Sequence, residues 1–360
     1  MYFLTPKSKI IKVMAESYKQ ETQNRYHWKL DGLLKELPDF CRTYFIGREN
    51  RLSEVTAVSY AYNLQMFFGY LHDNNSYFGS REVTSYRLED LEKLTSGDIE
   101  EFLHWLRYHR NSEGHECHNS EMTIQHYISA ISALYKYFVK RNILPSNPVD
   151  AIDRAKRVKK KVIRLEGDEK KDLRAAVDSG EGLTARQAAF HEKNRERDMA
   201  IYEVFLTTGM RISELVGINM TDVDLKAHTI GITRKGSNFQ LIYISDRCTE
   251  LLSEYIAVRG KYSPDRDEPA LFLSNRGSRI SVRTVEVMTK KYVSTALPQK
   301  TDKITPHKLR STYATDMLRR TGDLELVSEL LGHSNIATTQ IYARYDDRKH
   351  EDVRNVIDET

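Results

Sequence analysis

Apolar side chains recur every three to four positions through much of the first half of the chain. After Ser53, a residue suited to cap a helix, Val55, Val58, Tyr62 and Met66 form one such series and Leu64, Phe67, Phe68 and Leu71 another. Together they predict an amphipathic helix. A second helix is predicted after Thr95-Ser96, with Ile99, Phe102, Leu103 and Leu106 on one face. A third follows Ser120, with Ile124, Ile128, Ile131, Leu134, Tyr135 and Phe138. It stops near Asn142, ahead of Pro145 and Pro148, because proline cannot continue a helix. Residues 45–150 therefore read as a small all-α bundle without strand-like alternation. Residues 1–44 read as a helical extension with no legible chemistry.

The second half changes character. From about Glu166 a further domain is predicted, spanning 166–345. It opens with helical sequence, then a polar segment at 178–197 and an apolar helix at 198–208. At 228–245 the period drops towards two. Ile230 and Ile232 alternate with Thr and Gly, and Leu241 and Tyr243 with Ile242 and Ile244. Lys235-Gly236-Ser237-Asn238 lies between the two runs, which predicts a β-hairpin with Lys235 at its turn. Leu271-Phe272-Leu273 reads as a third short strand, and 281–357 returns to helical sequence. The fold class is multidomain and α-rich. An N-terminal all-α bundle precedes a C-terminal α+β domain, mostly helical, with a small antiparallel sheet.

Composition narrows the function. At 360 residues and 41.9 kDa the chain is long enough for two domains. No stretch reaches the roughly 18 apolar residues of a membrane span, and lysines interrupt the N-terminus where a signal peptide would be apolar. Cys41, Cys117 and Cys248 are odd in number and far apart, so a reducing compartment is expected rather than a disulfide scaffold. The net charge of +4 is too mild to name a partner, but its distribution is uneven. Residues 154–164 carry Arg154, Lys156, Arg157, Lys159, Lys160, Lys161 and Arg164 with no acidic residue, whereas 346–360 has six acidic residues against three basic. A basic linker at 151–165 suits a phosphate backbone, since each cation placed on DNA releases a counterion.

Two helix starts carry candidate chemistry. TTGMRISEL holds Arg211 followed by Glu214; TPHKLRSTYATDML holds His307 and Arg310, three apart and hence on one helix face. LGHSNIATTQIYARY adds His333 and, nine residues on, Tyr342. Arginine forks match phosphate oxygens bidentately. No acidic cluster stands at metal-ligand spacing, and there is no nucleotide-binding GxxxxGK[ST] loop. His115, Cys117 and His118 lack a second ligand pair at zinc spacing and read as a polar loop. A phosphate site of this kind, with neither metal nor cofactor expected, calls for a nucleophile from the protein.

These segments resemble the tyrosine recombinase (phage integrase) family, and within it the Xer-type enzymes of Gram-positive bacteria. The resemblance spans about residues 195–350 and rests on TTGMRISELVGINMTDVD, TRKG, HKLRSTYATDML and LGHSNIATTQIY. The order Arg…Lys…His-x-x-Arg…His…Tyr is complete, with 24 residues from Arg211 to Lys235 and 23 from Arg310 to His333. Ser311 departs from the pattern, where relatives often carry His.

The resemblance implies that residues 45–150 are a SAM-like core-binding domain and that Tyr342 attacks a scissile phosphate to give a 3′-phosphotyrosyl link. A free tyrosine, with a pKa near ~10, is only about one part in a thousand ionised at neutral pH, so it needs a proton acceptor and a positive field. His307 is the implied acceptor, Arg211 and Arg310 the phosphate clamp, Lys235 the acid for the leaving 5′-oxygen, and His333 a phosphate hydrogen-bond donor. Glu214 is expected to orient the arginines. Tyr345, one helical turn on, is the rival nucleophile.

The implied partner is duplex DNA with an inverted-repeat site, clamped between two domains and bound as a homotetramer across two sites in the bacterial cytoplasm. A segregation DNA translocase could assist it. Val353, Val356 and Ile357 in the 346–360 tail form one apolar stripe that would pack on its own domain or, as in relatives, dock on a neighbouring subunit. Chromosome dimer resolution leads. Integration of a phage or conjugative transposon uses the same chemistry. A type IB topoisomerase and a non-catalytic DNA-binding protein are the readings from other classes.

Overall fold

The structure, a computed structural model, describes residues 20, 22–110, 113–154, 162–234, 239–262, 268–332 and 335–343. They form two compact units, one on either side of the 155–161 stretch. Lys235, His333, most of the basic stretch, Tyr345 and the C-terminal tail lie outside the described residues.

The first unit is the expected bundle: α1 (22–34), α2 (Asp39–Ile46), α3 (Glu54–Asn74), α4 (Ser96–Arg107) and α5 (Glu121–Val139). Its three predicted caps are in place. Ser53 Oγ accepts from Thr56 N–H at 3.3 Å and Ser120 Oγ from Thr123 N–H at 3.2 Å. Thr95 and Asp98 cap α4 reciprocally, Asp98 Oδ2 accepting from Thr95 N–H at 2.8 Å. Each cap contributes about 1 kcal/mol by satisfying a donor that the helix itself cannot. Asn142 adopts φ 56° just beyond α5, where an asparagine tolerates the left-handed turn that proline then follows. Phe67, Phe68, Phe102, Tyr135 and Phe138 fill the core, together with Phe40 and Tyr44 of α2. That packing unit therefore takes in residues before position 45.

Two expectations for the bundle are corrected. On α3 only Val58 of its series is buried, whereas Val55, Tyr62 and Met66 are exposed. The inward stripe runs through Ala57, Ala61, Leu64, Phe68 and Leu71. At 100° per residue, Val55, Tyr62 and Met66 fall on its opposite side. Small alanines hold the packed face, which a count of large apolar residues overlooks. The bundle also carries a short antiparallel hairpin, β1 (Tyr108–Arg110) with β2 (Glu116–His118), in register Tyr108↔His118. Cys117 and His118 thus sit on a strand rather than in a loop. Strands of three residues are too short to show a period.

The second unit contains α6 (Gly167–Ser179), α7 (Ala185–Thr208), α8 (Ile212–Gly217) and a sheet of β3 (Val223–Asp224), β4 (Thr229–Thr233) and β5 (Phe239–Tyr243). There follow α9 (Asp246–Val258), α10 (Val282–Ala296), α11 (Pro306–Thr321), α12 (Leu324–Leu331) and α13 (Gln340–Ala343). The predicted hairpin pairs β4 with β5 antiparallel, Ile230 opposite Ile242. Its third strand is β3, not 271–273. Leu271, Phe272 and Leu273 are buried, but this stretch makes only isolated bridges, Asn219↔Ala270 and Leu273↔Arg279.

Most of the polar segment at 178–197 proves to be the first half of α7. Thr184 and Gln187 form its capping box, a signal legible in the sequence. Where it turns inward, its polar side chains find partners within the protein. Tyr292 donates to Asp198 at 2.9 Å and meets His191 Nδ1 at 3.0 Å, and Arg197 pairs with Asp198 at 2.8 Å.

Phe102→Ala should destabilise the bundle by about 3–5 kcal/mol, the cost of emptying a core position. Val55→Ala should change it by no more than about 0.5 kcal/mol. Chemical denaturation of both variants separates the two faces of the bundle; comparable losses would contradict the assignment of the inward stripe.

Candidate active site

Three helix ends meet in the second unit. α7 stops at Gly209, whose φ of 57° suits glycine and where a Cβ would run into the Tyr313 ring. The next residues open α8, with Arg211 at its N-cap. Glu214 holds this arginine twice: Oε2 accepts its backbone N–H at 2.7 Å and Oε1 pairs with Nη1 at 2.8 Å. Glu214 is 7% exposed and Arg211 39%, so the carboxylate anchors the guanidinium from beneath and leaves it partly open. At its other end α8 is gripped by Arg279, which donates to Val216 O at 2.8 Å and Ile218 O at 3.0 Å.

Arg310 lies inside. Pro306 starts α11 and places His307 in its first turn, with Arg310 one turn on. Arg310 is 2% exposed and bridges two helix ends, donating from Nη1 to Gly209 O and from Nη2 to Leu331 O, each at 2.7 Å. Burial first, then the Arg211 charge, pushes its pKa down to about 10. It stays protonated at neutral pH by roughly three orders of magnitude. His307 reaches solvent. Partial desolvation, followed by the charges of Lys308, Arg310 and Arg211, nevertheless holds it below the ordinary imidazole range. A neutral ring at pH 7 can accept a proton, as a general base must.

Tyr342, on α13, is 3% exposed and packs in a cluster with Tyr313, Ala314, Leu318, Val327 and Leu331. Its backbone N–H is held by Thr339 O at 3.0 Å. Tyr342 is close enough to bear on the charge of the Arg310 guanidinium. Arg211, Glu214, His307, Arg310 and Tyr342 are thus brought together from α8, α11 and α13. Of the basic residues at 154–164, Arg154 is exposed, whereas Arg164 turns onto Glu166 at 3.1 Å.

One residue escaped the sequence reading. Arg234, just past β4, is 7% exposed and donates from Nη2 to Leu330 O at 2.6 Å. Three arginines therefore address three successive carbonyls where α12 ends: Arg234 at Leu330, Arg310 at Leu331, and Arg211, more loosely at 3.5 Å, at Gly332. Those carbonyls have no partner within the helix, and the negative end of its dipole favours cations there. The signal was available: Ile230, Ile232 and Arg234 share one face of the strand by alternation, which puts a cation among inward positions.

Residues 164–349 match the phage integrase family, and residues 40–144 match the phage integrase N-terminal SAM-like domain. The chain is 31% identical over 309 residues to the tyrosine recombinase XerC of Caldanaerobacter subterraneus, covering 83% of this chain and 80% of that protein. It is also 31% identical over 356 residues to the tyrosine recombinase XerS of Streptococcus uberis, covering 92% and 97%. Among solved structures it is similar in fold to the XerH site-specific recombinase in a post-cleavage complex with difH DNA. The TM-score is 0.64 and the identity 22%, covering 85% of this chain and 81% of that one.

The imidazole assignment can be read directly. In an NMR titration His307 should gain its proton below the ordinary histidine range. Lys308→Gln should move that midpoint upward without fully restoring it, because partial desolvation is the larger cause. An unchanged midpoint in the variant would remove Lys308 from the account.

Proposed function

The chain belongs to the phage integrase family of tyrosine recombinases, and from that premise we propose that it resolves chromosome dimers by site-specific recombination, as a single Xer-type enzyme acting in the bacterial cytoplasm. The observation that carries the dimer-resolution reading is length. The similarity to streptococcal XerS runs over 92% of this chain and 97% of that protein. As a tyrosine recombinase it is a DNA strand-transferase. The finer assignment, of residues to steps and of the enzyme to a cellular task, is our reading.

In the proposed reaction the Tyr342 hydroxyl attacks the scissile phosphorus. The P–O bond to tyrosine forms as the P–O5′ bond breaks. The phenolic proton passes to His307, and Lys235 supplies a proton to the departing 5′-oxygen. Arg211 and Arg310 hold the non-bridging oxygens, and His333 adds a hydrogen bond. Charge that builds on those oxygens in the transition state meets guanidinium groups already fixed by Glu214, Gly209 O and Leu331 O. Such preorganised donors supply the largest share of catalysis in many sites, and removing one costs about a hundredfold or more. The phosphotyrosyl bond conserves the phosphodiester's energy. A 5′-hydroxyl from a partner duplex then reverses the step without ATP. Recombination needs four cuts, so we take the working unit to be a tetramer on two inverted-repeat sites, with a segregation translocase as a candidate accessory protein. The basic residues Arg154, Lys156, Arg157, Lys159, Lys160 and Lys161 would follow the DNA backbone.

Incubation with lightly nicked host genomic DNA, in excess chelator, tests this. Nicks beside a cleavage site let the short fragment diffuse away and trap the covalent complex. Covalent ends should map to one locus near the replication terminus and should vanish in Tyr342→Phe. Ends at the border of a mobile element would instead assign integration. Trapping by the Phe variant equal to wild type would move the nucleophile to Tyr345. Site-independent relaxation of plasmids would point to a topoisomerase.

A further inference from the structure

We propose that Arg234 is a positioning residue of the phosphate site: a third arginine, held inside the protein, that fixes the end of α12 and adds positive potential to the Arg211–Arg310 clamp. The inference rests on the reading of that clamp given above.

Arg234 is an improbable residue to bury. Its Nη2 has Leu330 O, but Nε and Nη1 are buried with no hydrogen-bond partner among the described residues. The charges that bear on it are Glu214, already committed to Arg211, and Arg211 itself. Burial and the neighbouring cation both work against its charged form. A buried, half-satisfied cation beside another cation destabilises a fold, and an apolar side chain of similar length would be tolerated as well or better. The carbonyl at the end of α12 offsets part of this cost, but stability alone does not call for an arginine here.

Its position does. The guanidinium lies against Gly332, where a Cβ would collide with it, so the glycine turn and the arginine fit one another. It donates to the carbonyl immediately before the one that Arg310 holds. Moving Leu330 would move Leu331, and with it one of the two anchors of Arg310. The sum of charge points the same way. Arg211, Arg234 and Arg310 stand against Glu214, three positive charges to one negative, an excess of two. A phosphodiester carries one negative charge, and the five-coordinate species formed on attack carries two. With its idle donors buried, Arg234 acts through the field and through the Leu330 carbonyl, not by touching the phosphate.

The test separates charge from packing. Arg234→Met and Arg234→Lys are compared with wild type on a nicked duplex bearing the captured site, as the ordinary phosphodiester and as a neutral methylphosphonate at the scissile position. Arg234→Met should melt at the same temperature or higher and bind DNA normally. Its single-turnover cleavage should be slower by about tenfold to a hundredfold, the scale on which a displaced or weakened catalytic field acts. Arg234→Lys, which keeps the charge, should retain more activity. The deficit of the Met variant should shrink on the methylphosphonate, where there is less charge to stabilise. Arg211→Gln, run alongside, should show the same relief.

Wild-type cleavage by Arg234→Met would overturn the proposal. So would an equal deficit on both substrates while Arg211→Gln is relieved, or a lowered melting temperature with no benefit from lysine. If Arg211→Gln itself gains nothing from the neutral substrate, the clamp reading fails first and takes the proposal with it.

Discussion

The second unit depends on one guanidinium. Arg310 reaches from α11 to the last carbonyls of α7 and α12, at 2.7 Å each. Both helices end in glycine-capped left-handed turns, Gly209 and Gly332, which is how their carbonyls come to be free and close. A planar fork with fixed donor directions can satisfy two such groups at once, which the single ammonium of lysine cannot do with the same geometry. Arg310 is therefore both a structural tie between helix ends and a cation presented to whatever approaches them. The hydrogen bonds that secure the fold also fix the direction of its charge.

Clustering Arg211, Arg234 and Arg310 is costly in the absence of an anion. Mutual repulsion and desolvation both lower the affinity of Arg310 and Arg234 for their protons, and Glu214 offsets only part of it. The electronegative end of α12 offsets more, since three of its carbonyls accept from these side chains. What remains is an excess of positive potential that water does not fully screen. Catalysis needs interactions that strengthen as the transition state forms, and a site with charge left over provides them when a second negative charge develops on phosphate. The fold thus carries an unfavourable local arrangement whose return comes only with substrate.

Much of this was legible in the sequence, and the misses follow a rule. Caps at Ser53, Thr95 and Ser120 marked helices because a short polar side chain before an apolar series has few other uses. The β4–β5 hairpin announced itself by a change of period. The candidate site was legible because His307 and Arg310 stand three apart on one helix face, and because the segments that carry them, Arg211 and Tyr342 resemble one family. The failures share a cause: burial decided by partners distant in sequence. Arg197 and Asp198, midway along α7, are inside because Tyr292 and each other satisfy them, so the helix looked as if it began only there. Ala57 and Ala61 are inside because a neighbouring helix needs the space, so an exposed face of α3 looked as apolar as the packed one. Arg234 was passed over beside the more familiar Lys235, although strand alternation already placed it inward.

The proposed nucleophile is bound to the same packing problem as the proposed phosphate clamp. Tyr342 shares its apolar cluster with Tyr313, Leu318 and Leu331. Tyr313 and Leu318 belong to the helix that carries Arg310, and Leu331 supplies the carbonyl that Arg310 holds. α11 therefore presents its arginine to one side of the α12 terminus and its apolar face to the tyrosine. A shift of α12 along its axis would disturb the Arg310 anchor and the Tyr342 packing together. Close packing transmits such displacements instead of absorbing them. Placing the attacking oxygen and the charge that stabilises its product is then a single structural requirement, met by one helix and the end of another. It follows that a substitution in this cluster, though it touches no phosphate, acts on both halves of the chemistry at once.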